Sequence, residues 1–222
     1  MPAGALSTVI PAGQSSSRFR KGEIIFDEGD DVRGAYEIES GWVRLQIMNE
    51  EGHRQILSFL TVGDSFGFNS GAYSLTAEAV TDVKLTRIQI RAALAPDASL
   101  EAGRQVLRQM SRRFDELAHH MQQLLYSPVE QRVLCFLAWL AHRQGPEPTS
   151  GFVRIPMGRQ DIADYLGVAA ATLSRTMTQL QQRGRITLRG PRCFRLAGPP
   201  RFVPQCRAAE SICGACRAPR PH

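Results

Sequence analysis

Two groups of side chains have types and spacings that could do chemistry. The first lies in Ala170-Ala171-Thr172-Leu173-Ser174-Arg175-Thr176-Met177-Thr178-Gln179-Leu180. Wound as a helix, this run puts Leu173, Met177 and Leu180 at i, i+4 and i+7 on one face. Ala170, Ala171, Ser174, Arg175 and Thr178 are left on the other, near the helix start. An Arg fork can pair with O6 and N7 of a guanine in a major groove, and a hydroxyl beside it can serve either kind of base edge. Arg175 and Ser174 are therefore the candidate base contacts. Arg159 and Thr178 are candidate phosphate contacts, with Arg183 and Arg185 behind them. The second group is cysteine. Of five cysteines, Cys193, Cys206, Cys213 and Cys216 fall near the end of the chain, the last three spaced C-x6-C-x2-C. Cys213 and Cys216 are close enough in sequence for both thiolates to reach one metal, with Cys206 and Cys193 as further ligands of zinc or an iron–sulfur cluster. Neighbouring arginines favour the thiolate form, so free redox-active thiols are an equal alternative, as is a tail with no role.

The elements needed to hold Ser174 and Arg175 are legible around them. In Met157 to Ile186, Ile162, Ala163 and Leu166 give a short helix one apolar face, and Gly167 follows where the chain must turn sharply. Val168 re-enters the core and a second helix runs from Ala170 to Arg183, the arrangement of a helix-turn-helix. The alternative is a helical hairpin inside some other fold. Beyond it, Ile186 and Leu188, then Phe194 and Leu196, alternate around Gly190-Pro191 and predict a hairpin, hence a winged motif. Cys193 lies in that hairpin between Arg192 and Arg195.

Upstream, Leu100, Gly103, Leu107, Met110, Phe114, Leu117, Met121 and Leu124 recur at alternating intervals of three and four residues. So narrow an apolar stripe predicts a coiled-coil seam against a second copy of the chain. A helix lying on its own β-domain is the alternative. His119 and His120 are expected as solvent-facing flanks of this helix. Ser127-Pro128-Val129-Glu130 predicts a second start, with Ser127 as cap and Val133, Leu134, Leu137 and Leu140 inward. Cys135 reads as a buried hydrophobe within it. From Phe19 the pattern is one of short strands, with turns at Glu28-Gly29-Asp30, Ser40-Gly41, Glu50-Glu51-Gly52 and Val62-Gly63-Asp64, as in a β barrel or roll.

RQDIADYLGVAAATLSRTMTQLQQRGRI resembles the DNA-binding signature of the Crp/Fnr transcription regulators, on their FixK-like side, and the strand-rich segment is similar to their cyclic-nucleotide-binding jelly roll. The resemblance covers roughly residues 20 to 196. It implies an α+β protein: an N-terminal cyclic-nucleotide-binding-like β jelly roll, a long coiled-coil dimerisation helix and a C-terminal winged helix-turn-helix. The expected boundaries are a lead-in at 1–18, the roll at 19–96, the helix at 97–126, the DNA-binding domain at 127–198 and a Cys/Arg-rich tail at 199–222. It further implies a homodimer on a palindromic TTGA-like site of double-stranded DNA, RNA polymerase as a partner, and control of oxygen- or nitrogen-related genes. The family reads Glu-x-x-Ser-Arg on its recognition helix. Ser174 and Arg175 match, while Ala171 stands for the Glu and cannot accept a hydrogen bond from a cytosine amino group, which points to a variant or relaxed site.

The family's nucleotide-binding members carry Gly-Glu and then Arg-Ser-Ala to hold ribose and cyclic phosphate. Here Gly67-Phe68 and Leu75-Thr76-Ala77 stand in those places, and without the Arg the bidentate contact to the phosphate is lost. Cyclic nucleotide is not expected, which leaves a self-filled roll or another small effector. Fnr-type members hold an iron–sulfur cluster on cysteines near the N-terminus, where this chain has none. A tail-based redox or metal sensor is the alternative reading.

Charge agrees with a nucleic-acid partner. Residues 151 to 222 hold 12 Arg against three acids, a net +9, whereas residues 1 to 150 hold 15 basic against 18 acidic residues, a net −3. A basic end carrying the motif is the footprint of phosphate contact. The five histidines form no H-E-x-x-H spacing, and neither G-x-S-x-G nor a phosphate-cradling Gly loop occurs, so no enzyme is expected. With no long apolar run or signal-like start, the expectation is a cytoplasmic protein.

Overall fold

The computed structural model describes residues 15–88 and 100–198, which divide into two compact units meeting in sequence at Leu117 and Ala118. In the first unit eight strands run β1 (Ser15–Phe19), β2 (Ile24–Phe26), β3 (Ala35–Ser40), β4 (Trp42–Met48), β5 (Arg54–Thr61), β6 (Ser65–Phe66), β7 (Thr76–Ala79) and β8 (Val83–Ile88). They form two four-stranded antiparallel sheets, ordered β1-β8-β3-β6 and β2-β7-β4-β5, the two-sheet plan of a jelly roll. The turns read from the sequence are present: Gly29, Gly41, Gly52 and Gly63 all take positive φ. Gly41 has no alternative, since a Cβ there would lie 2.3 Å from the Asp82 carbonyl oxygen.

One expectation is corrected at the start of the roll. Ser15 to Arg18, read as part of a lead-in, belong to β1, which pairs with β8 from Ser15↔Arg87 to Phe19↔Val83. Backbone pairing at a sheet edge needs no apolar alternation, so its Ser-rich sequence gave no strand signal.

The roll is filled by its own aromatic rings. Phe26 stacks on Tyr73 at 3.6 Å between centroids, with Tyr36 and Phe66 within about 6 Å of Phe26. The Tyr73 hydroxyl donates to the Gly34 carbonyl at 2.7 Å, and burial raises its pKa to about 12, so it stays a donor. Asp64, fully buried, is the charged exception. One carboxylate oxygen accepts the Thr61 N–H at 2.9 Å, and the other takes a hydrogen bond from Arg112 at 2.9 Å and an ion pair from Arg113 at 2.8 Å. Both guanidiniums also reach Glu116.

Those arginines belong to α1 (Leu100–Tyr126), whose first part lies in the roll's unit and whose last turns lie in the C-terminal unit. Its buried side is Gln105, Val106 and Gln109, continued by half-buried Arg112, Arg113 and Glu116. The apolar stripe is on the opposite side. Leu107, Met110, Phe114, Leu117 and Met121 are all exposed, Phe114 to 72%. The helix does not use its apolar face on its own roll.

In the C-terminal unit come α2 (Val129–Gln144), β9 (Val153–Arg154), α3 (Arg159–Leu166), α4 (Ala170–Gln182), β10 (Ile186–Leu188) and β11 (Cys193–Leu196). The start of α2 differs from expectation. Pro128, whose side chain has no hydrogen-bonding group, is the N-cap in place of Ser127, whose N–H still donates to the Gln123 carbonyl at the end of α1. The buried face of α2 is Val133, Phe136, Leu137 and Leu140, with Leu134 and Cys135 only half-buried. The wing pairs Ile186↔Leu196 and Leu188↔Phe194, and β9, too short to leave a sequence signal, adds a third strand beside β11.

His120 is the second correction. It is buried, not a solvent-facing flank, and stacks on Tyr165 of α3 with centroids 3.9 Å apart and planes 7° from parallel. Neither ring nitrogen meets a protein partner in hydrogen-bond geometry. Burial lowers its pKa to about 4, opposed by the nearby Tyr165 backbone and reinforced by Arg132. The folded state therefore holds this ring neutral while an unfolded chain, at the ordinary value of 6.5, takes up a proton. Stability conferred by neutral His120 is complete above pH 6.5 and is lost as the pH falls towards 4. By pH 5 the loss is about 2 kcal/mol. Urea titrations followed by Trp139 fluorescence in a Trp42→Phe background will show this loss, and His120→Phe, which keeps the stack, will remove it.

Candidate nucleic-acid interface

The turn that sets α4 against α3 depends on Gly167, which takes φ 62° and ψ 44°, a left-handed conformation that L side chains pay to adopt. A Cβ here would also press to 3.3 Å of the Leu124 side chain from α1. Arg132 of α2 donates to the Leu166 carbonyl at 2.6 Å, satisfying the last turn of α3 beside that glycine. At its other end α3 is capped by Asp161, whose carboxylate accepts the Gly158 N–H at 3.1 Å. Ile162, Ala163 and Leu166 are buried as their spacing required.

Helix α4 buries Leu173, Thr176, Met177 and Leu180. Thr176 was missing from the face read in the sequence. Its hydroxyl donates to the Thr172 carbonyl at 2.9 Å, so a polar residue can occupy the apolar side. On the other side Ala171, Ser174, Arg175 and Thr178 are exposed, and Ala170 is half-buried. Arg175 makes one long hydrogen bond, 3.4 Å, to the Thr172 hydroxyl. The Thr178 hydroxyl is already donated to the Ser174 carbonyl at 3.1 Å. Ala169 caps the helix with no side-chain bond, and no acid lies in its first turn, so the N-terminal dipole faces outward uncompensated.

The remaining arginines are distributed differently from their sequence positions. Arg159 is half-buried and donates to the Pro191 carbonyl of the wing at 3.2 Å, while Arg192 returns a bond to the Pro156 carbonyl at 3.1 Å. These two links fasten the wing tip to the start of α3. Burial lowers the Arg159 pKa, and its buried Nη1 has no protein hydrogen-bond partner. Arg189 and Arg195 lie over the Phe152 ring at 4.7 and 5.0 Å. Arg183 is paired with Glu130 of α2, and Arg185 is exposed. Nothing in the sequence marked Phe152 as the platform for two wing arginines.

Cys193 is half-buried at the start of β11, opposite Arg154. Cys206, Cys213 and Cys216 lie outside the described residues. Among the described residues no three His, Cys, Asp or Glu side chains are grouped to hold a metal.

A helix pair with this turn, an exposed Arg175 and a three-stranded wing has known counterparts. Residues 16–95 match the cyclic nucleotide-binding domain family and residues 131–201 match the Crp-like helix-turn-helix domain family. The nitrogen fixation regulation protein FixK of Rhizobium meliloti (strain 1021) is 32% identical over 216 residues, covering 91% of each chain. The chain belongs to the Crp/Fnr family. It falls in the FixK branch and is a DNA-binding transcription regulator, not an enzyme. The transcriptional activator protein FnrA of Stutzerimonas stutzeri is 29% identical over 84% of this chain and 77% of its own. Among solved structures, FixK2 from Bradyrhizobium japonicum superposes with a TM-score of 0.78 at 28% identity, over 85% of this chain and 95% of that one.

The family's roll takes cyclic nucleotide in some members, and the residues here do not fit that ligand. Phe68 and Leu75 offer no charge to a phosphate, and the Thr76 hydroxyl is bonded to Asp27, a carboxylate that would repel one. Arg44 of β4, the strand that pairs with that stretch, is itself paired with Glu78 of β7 at 2.5 Å.

Gly167→Ala tests the turn. The positive φ and the crowding against Leu124 should together cost about 1–2 kcal/mol of C-terminal-unit stability. Urea midpoints read by Trp139 fluorescence measure that loss.

Proposed function

We propose that the protein acts as a homodimer, each copy laying α4 in the major groove of one half of a two-fold-related DNA site, TTGA-like or a variant of it. The exposed face of α4, with Arg175 aimed outward between Ser174 and Thr178, is the observation that carries this reading. Arg175 forks onto a guanine and Ser174 takes a neighbouring base edge. Ala170 and Ala171 line the same groove face. The uncapped start of α4 takes a phosphate, and Thr178 takes another once its hydroxyl turns from the Ser174 carbonyl. Arg159 adds its charge beside the phosphates while one of its nitrogens holds the wing, its Nη1 being buried.

Dimerisation rests on the open apolar stripe of α1. Eight exposed large hydrophobics run from Leu100 to Tyr126, against three in the whole described roll. A polar docking face and a free apolar seam together favour a second copy of the same helix as the partner. The relatives' names, nitrogen fixation regulation protein and transcriptional activator protein, support a role in nitrogen-related gene control. Oxygen-related control, the cytoplasm and RNA polymerase as a further partner are what the family resemblance implies. No helix among the described residues is long and apolar enough to cross a membrane.

Replacing Arg175 by Ala should cost about 1–3 kcal/mol in binding and relax selection at one base pair. Mobility shifts on the preferred duplex and its single-base variants test both effects, and unchanged affinity with unchanged selectivity would sink the role. Phe114→Glu places a charge in the seam. Sedimentation should then find monomers, and affinity for a two-half-site duplex should drop by at least about tenfold because two linked contacts become one.

A further inference from the structure

The apolar stripe of α1 changes register at its C-terminal end. Phe114, Leu117 and Met121 follow one another at steps of three and four residues and are exposed, and the next position of that pattern is Leu124. Leu124 is instead half-buried, its side chain 3.3 Å from where a Cβ on Gly167 would lie. Leu125 takes its place outside at 69% exposure, about 100° further round the helix. The steps from Phe114 to Leu125 are thus three, four and four, a departure from the heptad that locally unwinds a left-handed coil.

The cause lies inside the C-terminal unit. His120 and Leu124 stand one turn apart on one face of α1 and both meet α3 or its turn, His120 on the Tyr165 ring and Leu124 beside Gly167. Met121 and Leu125, also one turn apart, form the next row and are open. The same two turns therefore carry one row packed on the helix-turn-helix and, beside it, one row free for a second copy. Row and row differ by a single residue step of one helix, and α3 leads to α4 through the turn at Gly167 alone.

We infer that His120 and Leu124 are positioning residues that fix the separation of the two α4 helices, and with it the half-site spacing the dimer accepts, by clamping the end of the seam to α3. The inference rests on the readings of α1 as the seam and α4 as the DNA helix. Inserting one base pair between half-sites moves them apart by about 3.4 Å and turns one against the other by about 35°. Clamped helices cannot follow that change, whereas helices on loosened ends can. Base choice within each half-site is untouched.

The test uses the full-length protein and duplexes whose half-sites stand one or two base pairs nearer or farther than in its preferred site. A spin-labelled amino acid replaces Gln181, exposed on α4, and dipolar spectroscopy reads the distance between copies without DNA. Wild type should give one narrow distance and lose at least about tenfold in affinity at each altered spacing, because both contacts can no longer form together. Leu124→Ala and His120→Leu should broaden the distance and reduce the spacing preference to within about threefold. Their sedimentation as dimers and affinity for a single half-site should not change. His120→Phe, which keeps the stack on Tyr165, should retain the wild-type distance and preference. A variant too damaged to bind a single half-site is judged by the distance alone. Leu124→Ala and His120→Leu proteins with the wild-type distance and preference overturn the clamp, as does a broad distance in the wild type, and leave the dimer and α4 readings standing. Absence of any dipolar signal from wild type overturns the dimer reading as well.

Discussion

A carboxylate with no solvent exposure must be surrounded by donors and cations, because burying an unpaired charge costs several kcal/mol. Asp64 meets that demand with the Thr61 N–H, Arg112 and Arg113. This one requirement fixes the rotation of α1 about its axis in the roll's unit. If Arg112 and Arg113 face Asp64, then Gln105 and Gln109 turn inward on the same side, and Leu107, Met110, Phe114 and Leu117 must turn out. A helix ordinarily buries its apolar side, and here the electrostatic demand of a single aspartate reserves that side for something else. The exposed seam is thus a consequence of the buried charge, not an independent feature.

The C-terminal unit is organised by an equally local constraint. Gly167 must take a left-handed conformation for α4 to leave α3 at the right angle, and two elements crowd its surroundings. Leu124 approaches from α1, whose His120 stacks on Tyr165 two residues back, and Arg132 of α2 bonds the preceding carbonyl. The last turns of α1 are therefore part of the helix-turn-helix core. Keeping the His120 ring buried without hydrogen bonds is tolerable because the ring is neutral, and its flat contact with Tyr165 recovers dispersion energy that a solvated imidazole would forgo.

What was legible in the sequence follows from which signals are periodic. The α1 stripe, the buried faces of α3 and α4, the Gly167 turn, the roll's glycine turns and the wing hairpin all repeat or punctuate at fixed intervals, so their positions could be read off. His120 could not, since a lone histidine on a polar flank carries no sign of the Tyr165 ring that covers it. β1 was lost because an edge strand of serines is held by backbone pairing, and β9 because two residues make no pattern. Thr176 was lost because its hydroxyl bonds a carbonyl of its own helix, which lets a polar residue pass for an apolar one. At the interface, Ser174, Arg175 and Thr178 were readable as an outward face. The position of Arg159 was not, because its wing partner is the carbonyl of Pro191, far along the chain.

The arginine-rich C-terminal end shows why counting charge overstates direct DNA reading. Arg132, Arg159 and Arg192 each bind a backbone carbonyl, Arg183 pairs with Glu130, and Arg189 and Arg195 lie over Phe152. A bond to a carbonyl or a ring face leaves the positive charge in place, so Arg132, Arg159, Arg192 and Arg195 still contribute to the field that attracts phosphate, whereas Glu130 offsets Arg183 and Glu147 offsets Arg189. Their geometry, however, is spent on holding the wing and the helix pair together. Among the outward-facing residues of α4, only Arg175 is a cation. On the proposed reading of α4, affinity comes from a field carried by the scaffold and base selection from Arg175 and Ser174, so that binding is salt-dependent while the choice of base rests on few side chains.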